Sequence, residues 1–237
     1  MDIYKINTIE ELTRDPYVGR GIIVGKSKDG KNAVSAYFIM GRSANSRNRV
    51  FAEHDGAVYT EPFDASKVED PSRIIYAAVR EIGKKLIVTN GDQTDTIVDG
   101  IRLGSTFEKS LETREFEPDH PNLTPRISAE LDFSDGFEYR MSILKSEDAE
   151  GSACARYSFS YSPLAGLGHF IHTYVGDGNP LPTFQGEPER VEIPDDIDAF
   201  ADRIWNALND ENKISLFVRY TDLASGEYQQ KIINKYN

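Results

Sequence analysis

Alternating and clustered hydrophobic positions predict two hairpins in the first quarter of the chain. The predicted strands cover residues 21–26, 32–40, 49–54 and 57–60. In the second strand, every other position from Ala33 to Ile39 would lie on one face. Asp29-Gly30 and Asp55-Gly56 are typical hairpin turns within the two pairs. A polar loop, residues 41–48, separates the hairpins.

Capping residues and helical periodicity predict helices in several regions. Thr8 and Glu11 match a capping box that opens a short helix before Pro16. Asp70-Pro71 predicts a helix start, and that helix would end at Gly83. Its predicted apolar face consists of Ile74, Ile75, Ala78, Val79 and Ile82. Three more helices are predicted. A short helical piece precedes a longer helix over 105–117, which begins at Ser105 with Glu108 as its capping-box partner. An amphipathic helix covers residues 196–208.

The second half of the chain is rich in predicted strands. They cover residues 85–89, 126–133, 137–145, 154–161, 214–221 and 228–234. Residues 163–194 contain many glycines and prolines and are predicted as a long irregular segment, which in a compact domain is usually functional. Many hairpins combined with capped helices predict an α+β fold of antiparallel sheets covered by helices. We expect one domain over 1–237, in which residues 1–18 are an N-terminal extension.

Charge and composition narrow the classes of function. The formal net charge of −12 disfavours binding to nucleic acid or to an anionic membrane, unless positive charge is concentrated locally. A single cysteine, Cys154, excludes a disulfide within the chain and disfavours a cysteine-based metal site. The sequence has no signal-peptide pattern and no run of ~20 apolar residues, so we expect a cytoplasmic protein.

One basic stretch, residues 30–52, contains no Asp or Glu. It carries Lys31, Arg42, Arg47 and Arg49, and small polar residues such as Ser43 lie between the arginines. Guanidinium groups bind phosphate through a planar fork of donors, so this stretch predicts a site for a small phosphorylated ligand. The alternative is a basic hairpin whose side chains face water.

Three further polar segments are candidates for a binding site. Residues 90–96 follow a buried strand and present amide, carboxylate and hydroxyl groups, although they could equally be a turn and a helix cap. Residues 117–126 place Glu117 and His120 in a proline-stiffened loop, which could also be a plain surface connection. His169 and His172 would face opposite sides of a strand, so packing or hydrogen bonding is favoured over a metal site.

Several of these stretches together resemble the archaeal-type inosine monophosphate (IMP) cyclohydrolase family. The matching residues, in order over about 19–130, are Gly19-Arg20, Gly25, Ala36-Tyr37, Arg42-Ser43, Arg47, Tyr76, Asn90-Gly91, Thr94-Asp95-Thr96-Ile97 and Thr124-Pro125-Arg126-Ile127. Later segments look like longer bacterial members: His172-Thr173-Tyr174, Asp177-Gly178, Pro180-Leu181-Pro182 and Gly186-Glu187-Pro188. The chain has no phosphate-binding loop, dinucleotide fingerprint or nucleophile elbow.

The resemblance implies a fold, a reaction and a ligand. The fold would be αββα, like that of the N-terminal-nucleophile hydrolases, although residue 2 is Asp and no N-terminal nucleophile is expected. The reaction would close 5-formamidoimidazole-4-carboxamide ribotide to IMP with loss of water. No cofactor or metal is implied, the partner is a small phosphorylated purine precursor or nucleotide, and homo-oligomerisation stays open. The rivals are a non-catalytic purine-nucleotide-binding or regulatory protein on the same fold and an amide hydrolase.

The resemblance also suggests roles for named residues. The predicted catalytic residues are Arg47, Tyr76, Glu117 and Tyr37. The predicted substrate-binding residues are Arg20, Arg42, Ser43, Asn90, Asp92, Thr94, Asp95, Thr124 and Arg126. Arginines would hold the phosphate or polarise carbonyl oxygens, and a partly desolvated Glu117 would transfer protons because its pKa would then be raised.

Overall fold

The computed structural model of the protein describes residues 4–68 and 75–236, and most of its regular structure is β-strand. The strands are β1 (Arg20–Lys26), β2 (Asn32–Met40), β3 (Val50–His54), β4 (Ala57–Glu61), β5 (Tyr76–Ile82), β6 (Lys85–Thr89), β7 (Arg126–Asp132), β8 (Glu138–Ser146), β9 (Cys154–Tyr161), β10 (Leu167–His172), β11 (Glu189–Glu192), β12 (Lys213–Asp222) and β13 (Tyr228–Asn234). The helices are α1 (Ile9–Leu12), α2 (Ala44–Arg47), α3 (Gln93–Arg102), α4 (Phe107–Leu111) and α5 (Ile197–Ala207), with a 3₁₀ turn at Ala65–Lys67.

The strands form two antiparallel sheets. The six-stranded sheet has the order β11-β10-β1-β2-β12-β13, and the seven-stranded sheet has the order β3-β4-β5-β6-β7-β8-β9. In the first sheet Ile22 lies opposite Tyr37, and in the second Val88 lies opposite Ala129. The prediction of a mixed α/β protein with antiparallel sheets is therefore confirmed.

The main core lies between the two sheets. Alternate residues of β1 and β2, such as Ile22 and Tyr37, face the other sheet and pack with Val88 and Ile143. This follows from the period of two in a strand, which sends successive side chains to opposite faces.

Helices pack on the outward faces of both sheets. The outward residues of the six-stranded sheet, including Ile23 and Phe38, pack against Phe200 and Ile204 of α5. On the seven-stranded sheet, Ile87 packs against residues of α3 and α4, including Phe107. Helices thus contact the outward face of each sheet. None of the helices within the described residues has the length and apolar character that crossing a membrane requires.

The prediction of a helix over 70–83 is wrong for its described part. Tyr76–Ile82 is strand β5, paired with β4 and β6, and its first four residues are all buried. Because α3 covers one face of this strand and the other sheet covers the opposite face, its apolar residues do not alternate with polar ones. Asp70, Pro71 and Ile74 lie outside the described residues.

Three other predicted segments need correction. The helix expected over 105–117 is the five-residue α4, capped by Thr106 rather than Ser105, and the longer helix of this region is the preceding α3. Residues 163–194 are not wholly irregular, because β10 and β11 lie within them. The loop 41–48 contains the single turn α2, capped by Ser43.

The remaining elements agree with the sequence. The capping box between Thr8 and Glu11 is present at α1. The hairpin of β1 and β2 turns at Gly30, whose φ of 76° favours glycine. The beginning of β1 and the end of β2 meet at one end of the sheet, because Arg20 pairs with Ile39, and the end of β10 lies beside them.

Candidate active site

A cavity of about 320 Å³ opens at this end of the two sheets. That volume lies within the usual range for small-molecule sites, roughly 300–1,000 Å³. Six of the residues predicted to bind or act on a ligand line it: Arg20, Arg42, Ser43, Asn90, Glu117 and Thr124. They come from β1, from the segments that follow β2 and β6, and from the loop before β7, so antiparallel pairing brings distant parts of the sequence together.

Two guanidinium groups in the cavity have no counter-ion among the described residues. The side chains of Arg20 and Arg49 make no hydrogen bond or ion pair within 4–68 and 75–236, and Nε of Arg49 is fully buried. Arg49 is only 6% exposed. Burial, together with the neighbouring Arg20 cation, lowers the pKa of Arg49. An anion placed between them would relieve both effects.

Arg47, which was predicted to be catalytic, points elsewhere. Its Nε donates to the carbonyl oxygen of Gly41 at 3.0 Å, and its Nη2 donates to Oδ1 of Asn212 at 3.0 Å. Arg47 closes helix α2, whereas Arg49 lies two residues later, directly before β3. Sequence analysis included Arg49 in the basic stretch but gave it no role, because the direction of each side chain depends on this single helical turn.

Two tyrosine hydroxyls lie in electrostatic range of these arginines. The hydroxyl groups of Tyr37 and Tyr76 are 2.9 Å apart, and both side chains are buried. Burial raises the pKa of Tyr37 well above its usual value, and the adjacent Tyr76 raises it further, while Arg20 and Arg49 act in the opposite direction. Tyr37 therefore keeps its proton at neutral pH and can serve as a hydrogen-bond donor.

A carboxyl group with a raised pKa lies across the cavity. Burial raises the pKa of Glu117, Arg126 opposes this shift, and the nearby Asp92 and Asp119 add to it. Oε1 of Glu117 lies 2.9 Å from Nη1 of Arg126. The same nitrogen donates to Oδ1 of Asp92 at 2.6 Å and to Oε1 of Gln93 at 2.8 Å.

Gly91 allows this cluster to pack closely. A Cβ atom at Gly91 would lie 2.7 Å from Nη1 of Arg126 and 3.1 Å from Oε1 of Glu117. Both distances are shorter than ordinary contacts between a side chain and its neighbours. Any larger residue at this position would displace the Arg126–Glu117 pair.

The other predicted binding residues have structural partners. Asn90 accepts from the backbone N–H of Ile127 at 2.9 Å and donates to the carbonyl of Pro125 at 2.9 Å, which fixes the loop after β6. Thr94 is fully buried against Thr89, and Asp95 pairs with Arg80 on the outer surface. Asp92 pairs with Arg114 as well as Arg126, and its pKa is lowered although burial acts to raise it.

Seven further residues line the cavity and were not predicted as site residues: Tyr17, Asn45, Ser46, Asp119, Asn122, Tyr174 and Leu181. Asp119 accepts hydrogen bonds from both the backbone and the hydroxyl of Thr124, and the same hydroxyl bonds to Tyr174. Burial raises the pKa of Tyr174 to about 12. Six of the seven lie in segments that the sequence analysis singled out, namely 30–52, 117–126 and the motifs around Tyr174 and Leu181, but no feature of the sequence distinguished them within those segments.

The two histidines lie on β10, on opposite faces, as predicted. His169 Nδ1 bonds to the hydroxyl of Tyr139 at 2.6 Å, and His172 bonds to the carbonyl of Tyr174 at 2.7 Å and to Glu189 at 3.0 Å. Within 4–68 and 75–236, no group of three or more His, Cys, Asp or Glu side chains has the arrangement of a metal site.

The cavity therefore combines unpaired cations, a protonatable carboxyl group and buried hydroxyl donors. Such a set can bind a small anion and donate a proton to a departing oxygen. The protein as a whole is strongly acidic, so the positive charge of this cavity, at one end of the two sheets, is local.

Comparison with known proteins gives the family. The family model described as IMP cyclohydrolase-like protein matches residues 17–226 of the 237. A protein named IMP cyclohydrolase from Methanopyrus kandleri is 29% identical over 151 residues, which are 60% of this chain and 75% of the relative. Proteins of the same name from Methanococcus aeolicus and Methanocaldococcus jannaschii are 34% and 33% identical, over 48% and 49% of this chain. These two alignments span 58% and 57% of the relatives' lengths. The resemblance seen in the sequence is confirmed, and because the family model matches most of its residues, the chain belongs to the IMP cyclohydrolase-like protein family.

Proposed function

We propose that the protein is an IMP cyclohydrolase that closes 5-formamidoimidazole-4-carboxamide ribotide to IMP. The observation that carries the proposal is the convergence of Arg20, Arg49 and Glu117 on one cavity in a member of this family. The ribotide supplies a phosphate for the unpaired cations and an intramolecular reaction that needs a proton donor. The names of the similar proteins from the three archaea agree with this activity.

The chemistry consists of one addition and one elimination. The carboxamide nitrogen attacks the formyl carbon, a C–N bond forms, and the formyl oxygen becomes a hydroxyl group. The carboxamide nitrogen gives up one of its two protons as the formyl oxygen takes one up. The hydroxyl then leaves as water when it is protonated, the former formamido nitrogen loses its proton, and a C=N double bond forms in the ring. Because both reacting groups belong to one molecule, the protein mainly has to hold two rotatable bonds in the attacking geometry.

Each step has a candidate residue, of which Glu117 lines the cavity and the others contact or lie near its lining residues. Glu117 would supply a proton to the departing hydroxyl, since burial raises its pKa and so favours the protonated form that can donate. The hydroxyls of Tyr37 and Tyr76, which form a buried pair in electrostatic range of Arg20 and Arg49, would donate towards a developing oxyanion. Arg126 would orient Glu117 through their 2.9 Å contact.

The cations divide into two groups in this proposal. Arg20 and Arg49 would bind the phosphate or a carbonyl oxygen directly, because their guanidinium groups have no hydrogen-bond partner among the described residues. Arg42, Ser43 and Thr124 would contact the ribotide from the cavity wall. Arg49 takes the role first assigned to Arg47, whose guanidinium is held by Gly41 and Asn212.

We further propose that the two sheets and the helices on their outer faces form the αββα arrangement of N-terminal-nucleophile hydrolases. The packing of α5 on one sheet and of α3 and α4 on the other supports this assignment. The cytoplasmic location stays a prediction. Whether the protein forms a homo-oligomer stays open, as it was in the sequence analysis.

A direct assay tests the activity. Purified protein is mixed with the formamido ribotide, and the appearance of purine absorbance is followed, with Glu117→Gln as the matched variant. Turnover by the natural protein and its loss in the variant are expected. IMP at 100 times its dissociation constant should also stabilise the fold by about 2.7 kcal/mol. Stabilisation by IMP without turnover would instead identify a nucleotide-binding protein, and neither response would refute both assignments.

A further inference from the structure

Arg42 differs from the other cations of the cavity because protein groups hold it in place. Its Nη1 donates to the carboxylate of Asp177 and to the carbonyl oxygen of Gly178, the latter at 2.9 Å. The guanidinium carbon lies 5.1 Å from the centre of the Tyr17 ring, a distance at which a cation interacts with the face of an aromatic ring. A partly exposed arginine would otherwise sample many rotamers.

These contacts use only part of the guanidinium. Both hydrogen bonds are made by Nη1, and neither Nε nor Nη2 has a partner among the described residues. Arginine has five N–H donors in a rigid plane, so fixing one nitrogen fixes the direction of the others. Arg42 also lines the cavity, so its free donors belong to a group that is already oriented there.

Asp177 is itself held by a second carboxylate. Oδ1 of Asp15 accepts from the backbone N–H of Asp177 at 2.9 Å and from that of Tyr17 at 3.1 Å. Asp15 thus connects the two groups that contact Arg42, one from the segment before β1 and one from the segment after β10. Gly176 permits this approach, since a Cβ atom there would lie 2.5 Å from Oδ2 of Asp15.

We infer that Asp177 is a positioning residue, which acts through Arg42 to present an oriented guanidinium to the anionic part of the ligand. The inference rests on the proposed function for the identity of the ligand. Without Asp177, the ligand would have to order the Arg42 side chain when it binds, and ordering one long side chain weakens binding by roughly three- to tenfold. A simple counter-ion would behave differently: its removal would leave Arg42 more available and would tighten the binding of an anion.

The test compares Asp177→Asn with the natural protein, using IMP affinity by calorimetry and the steady-state constants for the formamido ribotide. We expect the dissociation constant and KM to rise three- to tenfold, while kcat stays within twofold because Asp177 does not touch the reacting atoms. Asp198→Asn, on the exposed side of α5, is the matched control and should leave both constants unchanged. Thermal unfolding of each variant verifies that it is folded.

A double-mutant cycle shows whether Asp177 acts through Arg42. In an Arg42→Ala background, Asp177→Asn should have no further effect on IMP affinity. An unchanged or tighter affinity in the single variant, or an equal loss in the Arg42→Ala background, overturns the inference. If the natural protein neither binds IMP nor cyclises the ribotide, the proposed function fails, whereas an active natural protein with an unaffected Asp177→Asn variant refutes only the positioning role.

Discussion

Replacing Arg49 by methionine should weaken ligand binding while making the ligand-free protein more stable. Arg49 is buried, has no hydrogen-bond partner among the described residues, and lies near the Arg20 cation. A buried polar group without a partner costs about 1–3 kcal/mol, and methionine fills a similar space without that cost. A net gain of about 1 kcal/mol corresponds to a rise of roughly 2–4 °C in melting temperature for a chain of this size.

The loss of affinity follows from the same residue. A hydrogen bond to a charged partner contributes about 1.5–3 kcal/mol. At 1.4 kcal/mol for each factor of ten, Arg49→Met should therefore weaken IMP binding by about 12-fold to 140-fold. Melting curves with and without IMP measure both effects on the same sample, and calorimetry gives the dissociation constant.

Arg47→Met is the matched control. Its guanidinium donates two hydrogen bonds to Gly41 and Asn212, so this variant should lose about 2 kcal/mol of stability. Its IMP affinity should change by less than threefold. The reasoning is refuted if Arg49→Met melts below the natural protein and binds IMP normally, or if Arg47→Met is the variant that loses affinity.

Four further predictions concern the carboxyl group of Glu117, the neighbouring Gly91 and the distant His169. Glu117→Gln should remove turnover and raise the free energy of unfolding at pH 7. The pKa of Glu117 is raised in the folded protein, so its ionisation opposes folding above the unfolded pKa. Urea unfolding should show that this gain vanishes at acidic pH, where the carboxyl group is protonated in both states. If Glu117 donates a proton, kcat in the natural protein should fall as pH rises through its raised pKa, and a flat profile would exclude that role. Gly91→Ala should lower kcat at least tenfold by displacing Arg126 from Glu117, with the fold checked by circular dichroism. Burial and Arg190 lower the pKa of His169 to about 4, so stability should fall by about 3 kcal/mol as pH drops from 6.5 to 4, and His169→Gln should remove that dependence in urea titrations.

Local patterns predicted the regular hairpins and the last helix well. The β1–β2 hairpin could be found because its turn residues and alternating positions agree, and α5 because its apolar face repeats with helical periodicity. Strand β5 could not be distinguished from a helix. Ala78, Val79 and Ile82 have helical spacing, but Ala78 and Val79 belong to a run of four consecutive buried residues, and only its tertiary neighbours decide between the two structures.

Strand β10 was hidden for a related reason. All six of its residues are buried, since it pairs with β1 and β11 and is covered on both faces. Its surroundings in sequence are rich in glycine and proline, which indicated a loop. The choice between Arg47 and Arg49 was equally inaccessible, because it depends on the single turn of α2 that directs one side chain to Asn212 and leaves the other in the cavity.

The unpaired arginines of the cavity reflect local placement rather than a shortage of acidic residues. The chain carries a net charge of −12, and elsewhere it provides several arginines with carboxylates, as where Arg203 meets both Glu10 and Glu192. Within the described residues, the guanidinium groups of Arg20 and Arg49 receive no such partner although they lie close together and Arg49 is buried. Holding the charged Arg49 there opposes folding of the empty protein, since burial and the Arg20 cation lower its pKa, and a phosphate group would supply the missing negative charge. The free energy lost in forming the empty cavity should therefore be recovered on binding, which is why ligand affinity and ligand-free stability are expected to change in opposite directions at Arg49.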